Sequence, residues 1–109
     1  MEAKTPKEFF EKVLPARFKP DKAIGIDIVV QLILTGENGG KWVVIIRDQK
    51  LDVKEGITPT PTLTLQMAKN DFMDIINNKV STQKAFFTGK IHFEGSLTLA
   101  LKLRDAGFL

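Results

Sequence analysis

The chain contains no cysteine and no tyrosine, and its single histidine is His92. Without cysteine there is no disulfide framework and no thiol nucleophile, and one histidine cannot supply a zinc site. His92 alternates with Lys90 and Glu94 on the polar side of a predicted strand, so we interpret it as a surface residue. The serines and carboxylates also lack the spacing of a nucleophile elbow or of a recognisable catalytic pair. The sequence therefore predicts a protein that is not an enzyme, with no catalytic residue, no metal site and no cofactor.

Long apolar runs are also missing. The longest ones, such as residues 42–46, are far too short to cross a bilayer. The N-terminal region is charged throughout and does not resemble a signal peptide. A soluble cytoplasmic protein is the expectation.

The formal net charge is +3 and the pI is about 9.3, which raises the question of a nucleic-acid partner. The basic residues, however, are scattered singly among acidic ones. The aromatic residues lie on predicted inner faces and not among lysines and arginines, as a base-stacking platform would require. A dispersed charged surface and no nucleic-acid binding are predicted.

What the chain has in quantity is apolar residues, 43% of 109. That is enough for a core, and we expect a single domain over residues 1–109. Apolar and polar residues alternate in five stretches, as half-buried strands require. These predicted strands are residues 26–35, 41–47, 50–54, 62–67 and 90–94.

Helices are predicted between and around these strands. Thr5, Pro6 and Glu8 form a capping box that opens the first helix, which Pro15 is expected to end or redirect. Helical spacing recurs at residues 72–76 and again after Ser81, a predicted N-cap. This order of elements indicates an α+β fold with one sheet and its helices gathered on one face.

The C-terminal stretch, residues 96–109, permits two interpretations. Leucine recurs at 97, 99, 101 and 103, and this period of two favours a strand. As a helix the stretch would be apolar nearly all round and would need a second apolar partner. Local pattern alone favours the strand.

Several motifs resemble one known family. Residues 25–36, followed by Gly40-Lys41-Trp42, resemble the first hairpin of the sterol carrier protein type-2 family. A second set of motifs resembles the C-terminal half of the same family: Asp71-Phe72, Lys79, Ala85-Phe86, Gly89-Lys90, Glu94-Gly95 and Leu99-Ala100-x-x-Leu103. The motifs occur in order along essentially the whole chain.

The resemblance implies a five-stranded mixed sheet of order 3-2-1-4-5, with helices on one face enclosing a hydrophobic tunnel. It implies that residues 96–106 form a helix with Ser96 as N-cap, so that the leucine pattern is a false strand indication. Members bind and shuttle fatty acids, fatty acyl-CoA, sterols and phospholipids. The expected function is therefore lipid binding or transfer, and transient membrane contact is compatible with it. The alternative is a non-catalytic accessory or interaction domain with a filled core and no physiological lipid.

On such a fold, strand parity and helical spacing select the residues expected to line the lipid tunnel. These are Leu14, Val30, Leu32, Leu34, Val44, Ile46, Leu63, Leu65, Met67, Phe72, Ile76, Phe86, Leu99 and Leu103.

The opposite sheet face suggests a protein partner. A three-residue hairpin tip at residues 37–39 would pair Ile33 with Val43 and Gln31 with Ile45. Ile33, Val43 and Ile45 would then form one exposed aliphatic patch. The hypothesis is a two-fold homodimer through this face.

Overall fold

The computed structural model describes the backbone of residues 3–105 and the side chains of residues 3–102. It opens with an N-terminal helix made of three consecutive segments: α1 (Pro6–Glu8), a π-helical segment (Phe9–Val13) and α2 (Leu14–Arg17). The predicted cap is present, because the Thr5 hydroxyl accepts a hydrogen bond from the Glu8 amide at 3.1 Å. The Glu8 carboxylate in turn accepts one from the Lys4 amide at 3.1 Å.

The expectation that Pro15 ends this helix is wrong, while the alternative, that Pro15 redirects it, stays a prediction. Pro15 lies inside α2, and the helix continues to Arg17. In a regular α-helix the proline ring would clash with the carbonyl of Glu11, four residues earlier. Glu11 lies in the wider π segment, where the Leu14 amide bonds back to the Phe9 carbonyl. The π segment thus loosens the helix at the turn that the proline would otherwise break.

Five strands form one mixed sheet, as predicted. They are β1 (Ile28–Thr35), β2 (Gly40–Arg47), β3 (Lys50–Glu55), β4 (Leu63–Ala68) and β5 (His92–Gly95). The strand order is β3-β2-β1-β4-β5. The central strand β1 pairs antiparallel with β2 and parallel with β4.

Two helices, α3 (Lys69–Ile76) and α4 (Thr82–Phe87), follow β4, and a third, α5 (Leu97–Asp105), follows β5. Asn78, at φ 62°, provides the left-handed turn after α3, and the Ser81 hydroxyl caps α4 by accepting from the Lys84 amide at 3.0 Å. A short 3₁₀ turn, Pro20–Lys22, precedes the sheet.

The C-terminal stretch is a helix, so the period-two leucine pattern is indeed a false strand indication. Ser96 acts as its N-cap: its hydroxyl accepts from the Leu99 amide at 3.4 Å. Leu99 and Ala100 pack against the core, whereas Leu97 and Leu101 are exposed.

One buried cluster joins the helices to one face of the sheet. The N-terminal helix contributes Phe9, Phe10, Val13 and Leu14, and α3 contributes Phe72, Ile75 and Ile76. They pack against the inward residues of the strands, so the prediction of helices gathered on one face is confirmed.

The predicted hairpin register is wrong by two residues. Gln31 pairs with Val43 and Ile33 with Lys41, so the strands separate at Leu34 and Gly40. Glycine permits this longer turn, since a Cβ on Gly39 would lie 2.1 Å from the Leu34 carbonyl oxygen. A shift of two residues keeps every inward side chain on the inner face of the sheet. The alternation of apolar and polar residues therefore could not distinguish the predicted register from the observed one.

The outer sheet face is partly covered by the chain itself. β3 and β4 are separated in the sheet by β2 and β1, so the crossing segment, residues 56–62, passes over those strands. Gln31 is 4% exposed and its pair Val43 is fully buried. The predicted patch therefore lacks Val43, and homodimerisation through the half-buried Ile33 and Ile45 stays a prediction.

Candidate functional site

The predicted tunnel wall lies at the boundary between sheet and helices. All its members except Phe86, Leu99 and Leu103 belong to the single buried cluster. Leu99 is partly buried and packs against that cluster, while Phe86 is 40% exposed. The Leu103 side chain lies outside the described residues. The structure thus brings most of the predicted wall together as packed side chains.

Aromatic rings connect the layers of this cluster. The Phe10 ring stacks on Trp42 at 4.8 Å and on Phe72 at 5.5 Å between centroids. Phe9 meets Phe10 edge-on at 5.3 Å. The predicted wall omits Phe10 and Trp42. Trp42 lies two residues before Val44 on the same strand, and Phe10 lies four residues before Leu14 in the same helix. These two spacings are the sequence features that could have identified both residues as part of the buried layer.

The layer between sheet and helices is apolar. Among the described residues, the buried polar side chain is Gln31, which lies on the opposite sheet face. His92 is exposed on β5, as expected. Within residues 3–102 no group of three histidine or acidic side chains is placed to hold a metal ion. Among the described residues, this layer therefore presents no buried acid, base or nucleophile.

An open groove of about 780 Å³ lies where the N-terminal helix faces the edge strand β3. Its apolar lining includes Phe10, Phe18, Trp42, Leu51 and Val53. Charged residues also line it, namely Lys7, Glu11, Lys50, Lys54 and Glu55. None of the predicted wall residues lines this groove. Phe10 and Trp42 connect it to the buried layer.

Four large apolar side chains are exposed on α4 and α5. The exposed fractions are 40% for Phe86, 84% for Phe87, 54% for Leu97 and 45% for Leu101. Phe86 meets Phe93 of β5 edge-on at 6.3 Å, and β5 leads through Ser96 into α5. No helix in the described part of the chain is long and apolar enough to span a membrane.

Comparison with known families gives a clear match to this fold. The model of the SCP-2 sterol transfer family matches residues 10–106. The chain belongs to the SCP-2 sterol transfer family. SCP-2 domains bind and transfer lipids and are in general non-catalytic.

Curated relatives carry the SCP-2 domain as part of much longer proteins. Human sterol carrier protein 2 is 36% identical over 70 residues, which are 62% of this chain and 13% of that protein. Hydroxysteroid dehydrogenase-like protein 2 of Xenopus laevis is 32% identical over 76 residues, 69% of this chain and 18% of that protein. The chain thus spans less than a fifth of the length of these relatives.

Solved structures share the SCP-2 fold along nearly the whole chain. The crystal structure of sterol carrier protein 2 like 2 from Aedes aegypti has a TM-score of 0.72 at 24% identity, covering 91% of this chain and 94% of that one. The solution structure of palmitated SCP2L2 from Aedes aegypti has a TM-score of 0.69 at 26% identity, covering 90% of each chain. A sec-alkylsulfatase from Pseudomonas sp. has a TM-score of 0.80 at 21% identity, over 94% of this chain and 16% of that one, which shows a shared fold.

Proposed function

We propose that this SCP-2 domain binds a fatty acyl lipid between its sheet and its helices, and carries it without catalysing a reaction. The observation that supports the proposal is the apolar layer itself, whose described side chains include no buried polar group. The palmitated state of the Aedes aegypti relative, 26% identical, supports a fatty acyl chain as the ligand. The proposal places this activity in the cytoplasm.

The expected affinity suits a carrier, which must also release its ligand. Burying one methylene is worth about 0.8 kcal/mol, so a chain of about fourteen methylenes gains about 11 kcal/mol. Association and ordering costs remove several of these. A dissociation constant in the micromolar range is the result.

Two locations for the acyl chain follow from the geometry. The first is the predicted wall, entered beside Leu99 and Phe86, whose side chains are only partly buried. The second is the groove beside β3, lined by Leu51 and Val53 with lysines that could pair with an acidic head group. We place the chain in the first, because its wall is apolar throughout and is formed by both layers.

Palmitate binding, measured by isothermal titration calorimetry, tests both the function and the location. Leu99→Trp narrows the layer from the α5 side, and we expect it to weaken binding at least about tenfold while the far-UV circular dichroism stays unchanged. Val53→Trp fills the groove on the other side and leaves binding intact. The matched control is His92→Ala, an exposed change on β5 that should alter neither folding nor binding.

The outcomes separate cleanly. If Val53→Trp weakens binding and Leu99→Trp does not, the lipid lies in the groove. If the unchanged protein takes up no palmitate, acyl-CoA, sterol or phospholipid, lipid carriage is wrong.

The second candidate function is the accessory or interaction domain with a filled core. The close packing of the predicted wall residues in one buried cluster favours it. It predicts that no lipid binds and that Leu99→Trp has no ligand-related effect.

A further inference from the structure

We infer that two copies of the chain pair through the free edge of β3, antiparallel about a two-fold axis, and join their sheets into one. The axis passes beside Val53, so that Val53 lies opposite the partner's Val53. This pairing uses a different surface from the outer sheet face that carries Ile33 and Ile45. It goes beyond lipid carriage and does not depend on it, because pairing is measured with no ligand bound.

The strand β3 is the longer of the two edge strands, with six residues against four in β5. The Gly56 amide donates to the Lys41 carbonyl of β2 at 2.9 Å, in step with the register of β2 and β3. Backbone groups alternate in direction along an antiparallel strand, so those of Leu51, Val53 and Glu55 point toward the free edge. In the described part of the chain no further strand pairs with this edge. Three amides and three carbonyls are therefore available to another strand.

The two faces of β3 differ in chemistry. Leu51 and Val53 are half-buried and pack against the core, and both line the open groove. Lys50, Asp52 and Lys54 alternate with them and are exposed, which places these three on the outer face. Within residues 3–102 none of the three charged side chains forms a salt bridge. The edge thus carries a row of charges in the order plus, minus, plus, and an apolar row on its other face.

Charge selects one register for the pairing of this edge with itself. With the two Val53 residues opposite each other, Asp52 lies opposite the partner's Lys54, and Lys54 lies opposite the partner's Asp52. A shift of two residues one way puts Asp52 opposite the partner's Asp52, and a shift the other way puts Lys54 opposite the partner's Lys54. Unlike charges directly opposite stabilise a strand pair, whereas like charges destabilise it. A shift of one residue would put charged side chains opposite apolar ones.

A register centred on Leu51 also opposes unlike charges, but it overlaps only residues 50–52 of each strand. The register centred on Val53 overlaps residues 51–55. Three residue pairs of this overlap, two of Leu51 with Glu55 and one of Val53 with Val53, exchange two hydrogen bonds each. Length and charge together therefore favour the Val53 register.

This self-complementarity identifies the partner as a second copy of the chain. Lysines on an edge strand usually prevent pairing with another strand. Here Asp52 lies between two lysines and supplies the opposite charge that the partner's Lys54 requires. On the inner face the two Val53 side chains would meet at the axis, so the groove of one copy would continue into the groove of the other.

Sedimentation equilibrium tests the inference without ligand, from micromolar to millimolar protein concentration. The unchanged protein should show a reversible equilibrium between monomer and dimer. Lys54→Glu puts two acidic residues opposite each other on both sides of the axis, and should raise the dissociation constant about tenfold or more. Combining Asp52→Lys with Lys54→Asp exchanges the two charges and should restore the original dissociation constant.

Two control variants belong to this series. Lys50→Glu makes the same change of charge on the same strand, but Lys50 lies opposite the partner's Gly56 in the Val53 register, so the dissociation constant should not rise. Ile33→Lys alters the outer sheet face far from β3 and should leave the dimer unchanged. Far-UV circular dichroism of every variant separates lost pairing from lost folding.

Disulfide formation tests the register. The chain has no cysteine, so Val53→Cys carries a single thiol. Opposite Cα atoms of a hydrogen-bonded antiparallel pair lie about 5.5 Å apart, which is within disulfide reach. Oxidised Val53→Cys should therefore run as a covalent dimer on a non-reducing gel. Leu51→Cys is the matched control and should stay monomeric on the gel, because Leu51 and the partner's Leu51 are offset by about 13 Å along the strands.

Four results would overturn the inference. A monomer at every concentration would leave this edge to an extended segment of another protein. A dimer that Ile33→Lys abolishes would assign pairing to the outer sheet face. Equal weakening by Lys54→Glu and Lys50→Glu would show that no particular pair of charges is used. A more readily oxidised Leu51→Cys than Val53→Cys would mean that the strands pair in the shorter register.

Discussion

At the scale of single residues, Gln31 has a role that its exposed-looking position in the sequence conceals. Its amide nitrogen donates to the Trp42 carbonyl at 3.0 Å and to the Gly56 carbonyl at 3.1 Å. Its amide oxygen accepts from the Thr58 amide at 2.8 Å. This buried side chain thus joins β1 and β2 to the crossing segment.

Replacing Gln31 by leucine should lower the free energy of unfolding by about 2–3 kcal/mol, because buried backbone groups lose their partners. Urea denaturation followed by circular dichroism measures this. Gln66→Leu is the matched control, since Gln66 is an exposed glutamine on the neighbouring strand β4. Equal stability of the two variants would show that the Gln31 hydrogen bonds contribute nothing.

At the scale of elements, alternation predicted all five strands, while ends and pairings needed more than local pattern. The alternation of apolar and polar residues placed Val44 and Ile46 on the inner face of the sheet. It also permitted a hairpin register that differs by two residues from the observed one. The crossing segment has no periodicity, so the burial of Val43 beneath it could not be foreseen. In the candidate site, parity and spacing located the buried wall, but the short helix α4 has too few turns for spacing to show that Phe86 remains 40% exposed.

The helix α5 shows why local pattern failed at the C-terminus. Alternating leucines fit a strand, but the Ser96 cap and the packing of Leu99 fix a helix whose second leucine face is exposed. Ser96→Ala should therefore cost about 1 kcal/mol of stability, and Ser96→Asp should cost almost nothing because aspartate caps equally well. Urea denaturation of both variants checks the difference, and identical curves for alanine and aspartate would contradict the capping role.

At the scale of the whole molecule, aromatic packing ties the chain into one unit. Phe10 touches Phe9, Trp42 and Phe72, and so joins the N-terminal helix to the sheet and to α3. The ends of two helices are also linked, because Arg17 donates to the Ile76 carbonyl at 3.3 Å.

Phe10→Ala should consequently lower the free energy of unfolding by about 3–5 kcal/mol. The change should appear in a single transition, with circular dichroism and the fluorescence of Trp42, the one tryptophan, coinciding. Phe87→Ala, at an exposed position, should change stability by less than about 0.5 kcal/mol. Two separated transitions in the unchanged protein would mean that helices and sheet unfold independently.

The crossing segment also decides where the chain can be lengthened. Its backbone is fixed at Gly56, Thr58 and Thr62, the last donating its amide to the Val29 carbonyl at 2.8 Å. Residues inserted there would separate Gly56 and Thr58 from Gln31 and break their hydrogen bonds to its side chain. The hairpin tip at Glu37 and Asn38 is exposed and makes no such contact with the sheet face. A purification tag or a fluorescent label therefore belongs between Glu37 and Asn38, where added length costs the entropy of a longer loop and one turn hydrogen bond, from the Gly39 amide to the Gly36 carbonyl at 3.2 Å.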